Sequence, residues 1–325
     1  MKFRLPAFAL ATILFILIFS NQSSEKISNI SSLDDQIKIS SLANTINLVT
    51  NEPEIPFLEI IYEAKPEKTA VKTKEVAASP IQIKVSAKSA LIADLSENEN
   101  LLEYNLDLRH PLASLSKLMS AVVAAETVGF QKQVTLTEND VLAEGNAGNF
   151  SPGEIFTVGD LVKAALVVSA NDAVDAIAGF YGYDNFIKAM NTKAGEMGLK
   201  NTTFEDPSGL SFINQGTAND LKKITNYILT HHPNILDLTA GRKTTIDELG
   251  RKSKRELLNI NNFAGQNDFL GGKTGYTPMA GGNLLSIFSY KNHKLLIIVL
   301  GAEDRFAETK RLYEWTKNVL EYYKN

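Results

Sequence analysis

Cysteine is absent from the 325 residues. That excludes a thiol nucleophile, a cysteine zinc site, an iron–sulfur cluster, disulfides and a lipidated-cysteine anchor, and leaves the redox compartment open. Histidine is scarce: His110, His231, His232 and His293 are the four, and no G-x-S-x-G elbow accompanies them. A Ser–His triad hydrolase is therefore disfavoured, and His231-His232-Pro233 reads as a helix end rather than a metal pair. No metal or cofactor is expected. Excess positive charge is also lacking, with 33 Lys and Arg against 37 Asp and Glu for a net charge of −4, so nucleic acid has no global electrostatic claim on the chain. What remains is ordinary globular composition, 44% apolar and 22% charged. The length fits two domains, or one large one, at about 150 residues each.

Long hydrophobic runs are missing too, apart from Leu5 to Phe19, which follows Lys2 and Arg4. A positive flank before an apolar core is the layout of a secretory signal or signal anchor. The run is 15 residues, shorter than the roughly 20 of a spanning helix. Ser20, Asn21 and Gln22 follow it with no A-x-A site. Residues 1–20 are thus read as a signal peptide or an N-terminal membrane anchor, with export expected and an uncleaved anchor preferred. From 21 to 80 the chain is rich in Ser, Asn, Glu and Lys, with prolines at 53, 56, 66 and 80, and reads as a solvated flexible spacer.

Residues 81–325 form the remaining unit, without internal repeat or low-complexity tract. Ser89 to Leu95 and Leu101 to Leu106 read as strands about the turn residues Ser96 to Asn100. Leu115 to Glu126, Val158 to Val168, Asp172 to Gly179 and Asn185 to Met197 carry helical spacing. Gly282 to Ser289 and Leu295 to Gly301 are apolar strands, and Ala307 to Tyr323 closes with a helix. Strands at both ends and helices between predict one α/β domain.

Three segments in it carry chemistry. Ser114-Leu115-Ser116-Lys117 places a hydroxyl and an amine one helical turn apart, on one face. Serine needs a base to become a nucleophile, and a lysine kept neutral by burial can serve. Taken alone, the same residues read as a helix N-cap and a solvated lysine, and S-x-x-K recurs without meaning at Ser23 to Lys26. Ser169-Ala170-Asn171 in an extended loop would turn a hydroxyl and an amide to one side; alone, Ser169 or Asn171 reads as the cap of the next helix. Lys273-Thr274-Gly275, between apolar strands at a sheet edge, offers an amine and a hydroxyl to a carboxylate and a backbone open to close approach; alone, it reads as a surface turn.

The three lie 55 and 104 residues apart, in the order shared by penicillin-binding proteins and class A β-lactamases. With their flanks, the chain resembles the D-alanyl-D-alanine carboxypeptidases, the low-molecular-mass penicillin-binding proteins of the S11 peptidase family. The resemblance rests on Ser114 to Ala121, Ser169 to Ala173, Phe186 to Asn191, Gly198 to Phe204, Pro207 to Leu210, Thr217 to Leu221 and Lys273 to Leu284, and runs from about Ile81 to the C-terminus. It departs at Ala170, where the family has Gly, and at Leu270, where it usually has Asp. The β-rich second domain and C-terminal amphipathic helix of the best-known branch are missing before Asn325, which puts the expected membrane contact at the N-terminus.

The resemblance implies an α+β fold of the β-lactamase and transpeptidase type, an antiparallel sheet flanked by helices with a helical subdomain. It implies removal of the terminal D-alanine from peptidoglycan stem peptides, with β-lactams as inhibitors. Ser114 would attack, Lys117 take its proton, Ser169 relay a proton to the leaving group and Asn171 orient Lys117 and the substrate amide. Lys273 and Thr274 would hold the terminal carboxylate, Lys273 also keeping Lys117 neutral by repulsion. Gly275 lies within that motif, the N–H groups of Ser114 and Tyr276 would form the oxyanion hole, and Arg305 resembles a family arginine near the carboxylate site. A class A-like β-lactamase would need a deacylating glutamate; Glu205 falls near the right place, but Asp206-Pro207-Ser208-Gly209 follows the carboxypeptidase pattern. A non-catalytic β-lactam- or wall-binding domain is disfavoured because all three motifs are complete.

Overall fold

Strand β11 (His293–Ala302) is apolar at six successive positions, Leu295 to Leu300, and all six are buried. Alternation explains this. Successive strand residues face opposite sides of a sheet, so Leu296, Ile298 and Leu300 enter one core while Leu295, Ile297 and Val299 enter another. Each such side chain contributes about 1.5–3 kcal/mol on burial. The structure, a computed structural model, describes residues 83–322 apart from 143 and 146. The expected N-terminal anchor and the whole of the expected spacer lie outside the described residues, as does the end of the expected closing helix.

Strands β1 (Ser89–Asp94), β2 (Glu99–Tyr104), β9 (Phe269–Thr277) and β10 (Gly281–Tyr290) join β11 in an antiparallel sheet of order β2-β1-β11-β10-β9. One face carries the C-terminal helix α8 (Arg305–Tyr322), whose Leu312, Tyr313, Trp315 and Val319 pack on Ile92, Leu284 and Phe288. The other face carries a helical layer: α1 (Lys117–Val123), α3 (Val158–Val167), α4 (Asn171–Tyr181), α5 (Tyr183–Glu196) and α6 (Ala218–His231). Short pieces connect them: β3 (His110–Pro111), β4 (Gln133–Thr135), α2 (Glu138–Val141), β5 (Ile155–Thr157), β6 (Gln215–Gly216) and α7 (Asn234–Asp237). Thr157 and Thr217 cap α3 and α6 by accepting the N–H groups of Asp160 and Asp220.

Every residue of α1 is buried, as befits a helix surrounded on all sides. A 3-10 turn, Ala113–Ser116, leads into it, and a wider turn, Ala124–Val128, ends it at Gly129, φ +93°. The helix expected over Leu115 to Glu126 is thus three kinds of turn in series. Strand β2 begins two residues earlier than expected. Asn98 takes a left-handed turn, so Glu99 and Asn100 already pair with Asp94 and Ala93, across a register shift. The hairpin of β7 (Lys243–Glu248) and β8 (Ser253–Leu258) was not expected; only Ile246, Glu248 and Leu257 of its twelve residues are buried.

Candidate active site

The 3-10 turn puts Ser114 at the mouth of α1 and turns Lys117 into the protein. Lys117 is fully buried, which sets aside the solvated-lysine reading. Its Nζ donates to Ser114 Oγ at 2.9 Å, to Asn171 Oδ1 at 2.6 Å and to the Ser208 carbonyl at 2.7 Å. All three hydrogens of an ammonium have acceptors here, and a neutral amine would offer its lone pair to the Ser114 hydroxyl. Burial lowers the Lys117 pKa to about 7, against the pull of Asp206, Asp175 and Asp172.

Asn171 opens α4, and its amide neither caps the helix nor faces solvent: Oδ1 takes Lys117 and Nδ2 donates to the Glu144 carbonyl at 2.5 Å. Ser169 precedes it with φ +61°. A non-glycine residue held there stores strain, a cost that clusters at functional sites. Ala170, by contrast, has φ −58° and is wholly buried, so the methyl that replaces the family's glycine meets no backbone conflict.

The Lys273 motif lies on β9 rather than in a surface turn. Lys273 is buried and donates to Ser169 Oγ at 2.8 Å and to the Thr274 carbonyl at 2.8 Å. Burial, then the charges of Lys117 and Arg305, hold its pKa well below the lysine range. Desolvation is thus the leading cause for both lysines, with repulsion from Lys117 adding to the lowering of Lys273. Gly275 lets the strand approach Ser114: a Cβ there would stand 3.0 Å from the Leu112 carbonyl and 3.3 Å from the Ser114 nitrogen. Thr274 is buried and Tyr276 exposed. Arg305 begins α8 and donates to the Gly275 carbonyl at 3.0 Å. Gly282 leaves it room, since a Cβ there would lie 3.1 Å from the Arg305 Cβ.

Hydrogen bonds thus join Ser114, Lys117 and Asn171, join Ser169 to Lys273 and join Arg305 to Gly275, which lies close to Ser114. The residues come from the 3-10 turn, α1, the approach to α4 and its first turn, β9 and α8. Glu205 stands apart: it is exposed, and its carboxylate accepts the Ser211 hydroxyl. Among the described residues, no cluster of three His, Cys, Asp or Glu is placed to hold a metal.

Sequence reasoning missed the residues that fix this set. Asn214, fully buried, accepts the N–H groups of Glu205 and Asp206 and donates to Ser116 Oγ at 3.2 Å. Asn283 donates to the Pro111 and Leu112 carbonyls and accepts the Gly301 N–H, tying the strand that enters the Ser114 turn to β10. Both are lone asparagines, with no spacing signal.

The sequence pattern of the peptidase family described as D-alanyl-D-alanine carboxypeptidase matches residues 73–304. The chain belongs to this family. It is similar to a D-alanyl-D-alanine endopeptidase of Escherichia coli K12, 30% identical over 256 residues, covering 76% of this chain and 82% of the relative. It is also similar to the D-alanyl-D-alanine carboxypeptidase DacC of the same organism, 29% identical over 249 residues, covering 71% of this chain and 61% of the relative. Among solved structures, a D-alanyl-D-alanine carboxypeptidase of Mycobacterium tuberculosis superposes with a TM-score of 0.67 at 25% identity, over 75% of this chain and 95% of that one. A Streptomyces K15 DD-transpeptidase variant shares the fold, with a TM-score of 0.66 at 22% identity over 73% and 98% of the two chains. The expected antiparallel sheet flanked by helices is this fold.

Proposed function

We propose that the chain is a serine D-Ala-D-Ala carboxypeptidase acting on peptidoglycan stem peptides, and that penicillins acylate it at Ser114. The observation that carries the reading is a fully buried lysine amine, 2.9 Å from a serine hydroxyl, with a pKa lowered to about 7. A base is most effective when its pKa lies near the working pH. Ser114 Oγ attacks the carbonyl between the last two D-alanines while Lys117 Nζ takes its proton. The oxyanion forms against the N–H groups of Ser114 and Tyr276, where one such donor contributes about 10²–10³-fold. As the C–N bond breaks, the Ser169 hydroxyl passes a proton to the departing D-alanine amine, resupplied from the lysine pair. Water then hydrolyses the ester and frees Ser114.

Among the described residues, strand β9 closes one side of the sheet, with β10 its only strand partner. A peptide can add along such an edge as a further strand. Lys273, Thr274 and Arg305 are then the groups for its terminal carboxylate, with Arg305 already anchored to the β9 backbone. Incubating the purified protein with a stem pentapeptide should release one equivalent of free D-alanine per peptide. Absence of D-alanine together with slow penicillin acylation would leave only a β-lactam-binding domain.

A second reading shares this chemistry and changes the leaving amine. In an endopeptidase, the departing group is a side-chain amine of a neighbouring stem. Its support is the match over 82% of the relative named an endopeptidase, against 61% for DacC. A cross-linked muropeptide dimer assayed beside the pentapeptide separates the two by which substrate turns over faster.

We further propose three parts for the chain: residues 1–20 as signal or anchor, 21–80 as spacer and 81–325 as the catalytic domain. The domain would then work at the outer face of the cytoplasmic membrane, held by its N-terminus. A coil of 60 residues spans about 40–50 Å by square-root scaling, enough to reach wall strands away from the bilayer. Among the described residues, no helix is long and apolar enough to cross a membrane. Fractionation should place the full-length protein with membranes. A soluble species whose N-terminus lies within 21–80 would overturn the anchor.

A further inference from the structure

Asp206 gathers an unusual number of donors. Its carboxylate accepts the N–H groups of Ser208 at 2.7 Å, Gly209 at 2.5 Å and Ser211 at 2.7 Å, and the Ser208 hydroxyl at 2.8 Å. Successive backbone donors folded around one anion fix a turn tightly. This turn carries the Ser208 carbonyl that receives Lys117 Nζ at 2.7 Å. Its outer side is pinned as well. Asn214 Nδ2 donates to the Asp206 carbonyl at 2.8 Å, and the Ser120 hydroxyl to the Pro207 carbonyl at 2.5 Å. Gly209, φ +88°, lies so close to the nucleophile turn that a Cβ there would meet the Ala113 carbonyl at 1.9 Å. The turn therefore touches both sides of the reacting pair.

We infer that Asp206 is a positioning residue for Lys117, holding the Ser208 carbonyl that aims the amine at Ser114 and supplying it with a counter-charge. The other charged groups about Lys117 are Asp172 and Asp175 from α4 and Lys273 from β9; Tyr183 of α5 stands against Asp175 and Asp206. Of the carboxylates, Asp206 alone also shapes an acceptor of the Lys117 amine. Burial raises Asp172 and Asp175 to about 6, and each has a carboxylate oxygen with no hydrogen-bonding partner among the described residues. The inference rests on the reading of Lys117 as base.

The test is the rate of fluorescent-penicillin acylation of the full chain, in detergent, from pH 5.5 to 9. Removing a negative charge makes the Lys117 ammonium less favourable, so the amine is free at lower pH. Asp206→Asn should move the rising limb acidward by roughly half to one pH unit. Its alkaline plateau should fall about tenfold, because the carbonyl that aims the amine is released. Asp175→Asn, which also removes a charge but shapes no acceptor of the amine, should shift the limb and spare the plateau. Asp206→Glu should keep the limb within about 0.3 unit of the parent and lower the plateau, which keeps the test decisive if the Asn variant does not fold. A parent limb that Asp206→Asn leaves unmoved, or a Glu variant with the parent plateau, overturns the inference alone. A flat parent profile overturns the base assignment, and the inference with it.

Discussion

Ser114→Ala should leave no covalent penicillin on the protein. Intact-mass spectrometry should show one adduct on the parent chain and none on the variant, and fluorescent labelling should vanish. The reason is local. Among the described residues, Ser114 is the hydroxyl that meets the free face of Lys117, whose other two contacts are an amide oxygen and a backbone carbonyl. Ser116, the other serine of the motif, is buried and receives the Asn214 amide instead. Ser169 faces Lys273. An alanine at 114 removes one hydroxyl and its hydrogen bond with Lys117 Nζ but leaves the apolar packing of the core intact, and the amine keeps its other two acceptors, so the fold should persist and non-covalent binding with it. Labelling at the parent level would transfer the nucleophile to another serine.

Lys117→Ala should slow acylation by roughly 10²–10⁴-fold, the usual contribution of a positioned base. In the parent, the rate should rise with pH through about 7 and level off above it. The sign follows from burial: desolvation favours the neutral amine, so the amine loses its proton near neutrality instead of near the usual lysine value. Only the deprotonated form can accept the serine proton. The variant should lose that rising limb, and stopped-flow or gel-based labelling at fixed penicillin concentration would record it. A parent rate that falls with rising pH across this window would rule the lysine out as base.

The strands and helices that carry the site were legible where burial is two-sided or periodic, as in β10, β11 and α3 to α5. They were illegible where a polar segment forms a strand for tertiary reasons. The β7–β8 hairpin needs only Ile246, Glu248 and Leu257 inside, too few to declare a period. Strand β9 is hard to read for the opposite reason, because its glycines permit close backbone approach to Leu285, Leu112 and Ser114 and supply no side-chain pattern. Ser114, Lys117, Asn171 and Lys273 were visible by spacing. The burial of both lysines was not, since lysine is almost never fully buried without a partner. Asp206 stood next to a recognised segment, yet nothing in the string of letters says that its carboxylate closes a turn.

Ser114 sits in the turn that leads into a helix with no solvent-facing side. Leu112, Leu115 and Leu118 at the mouth of that helix belong to the same core cluster as Phe186 of α5 and Leu221 of α6. A hydroxyl fixed in this way has no loop of its own to melt. Local opening draws on segments with few buried apolar contacts, and this one has many. Warming should therefore extinguish reactivity and the heat-absorption peak of the helical layer together, in one cooperative event, so that a covalent penicillin tag reports the integrity of the interior as faithfully as calorimetry does.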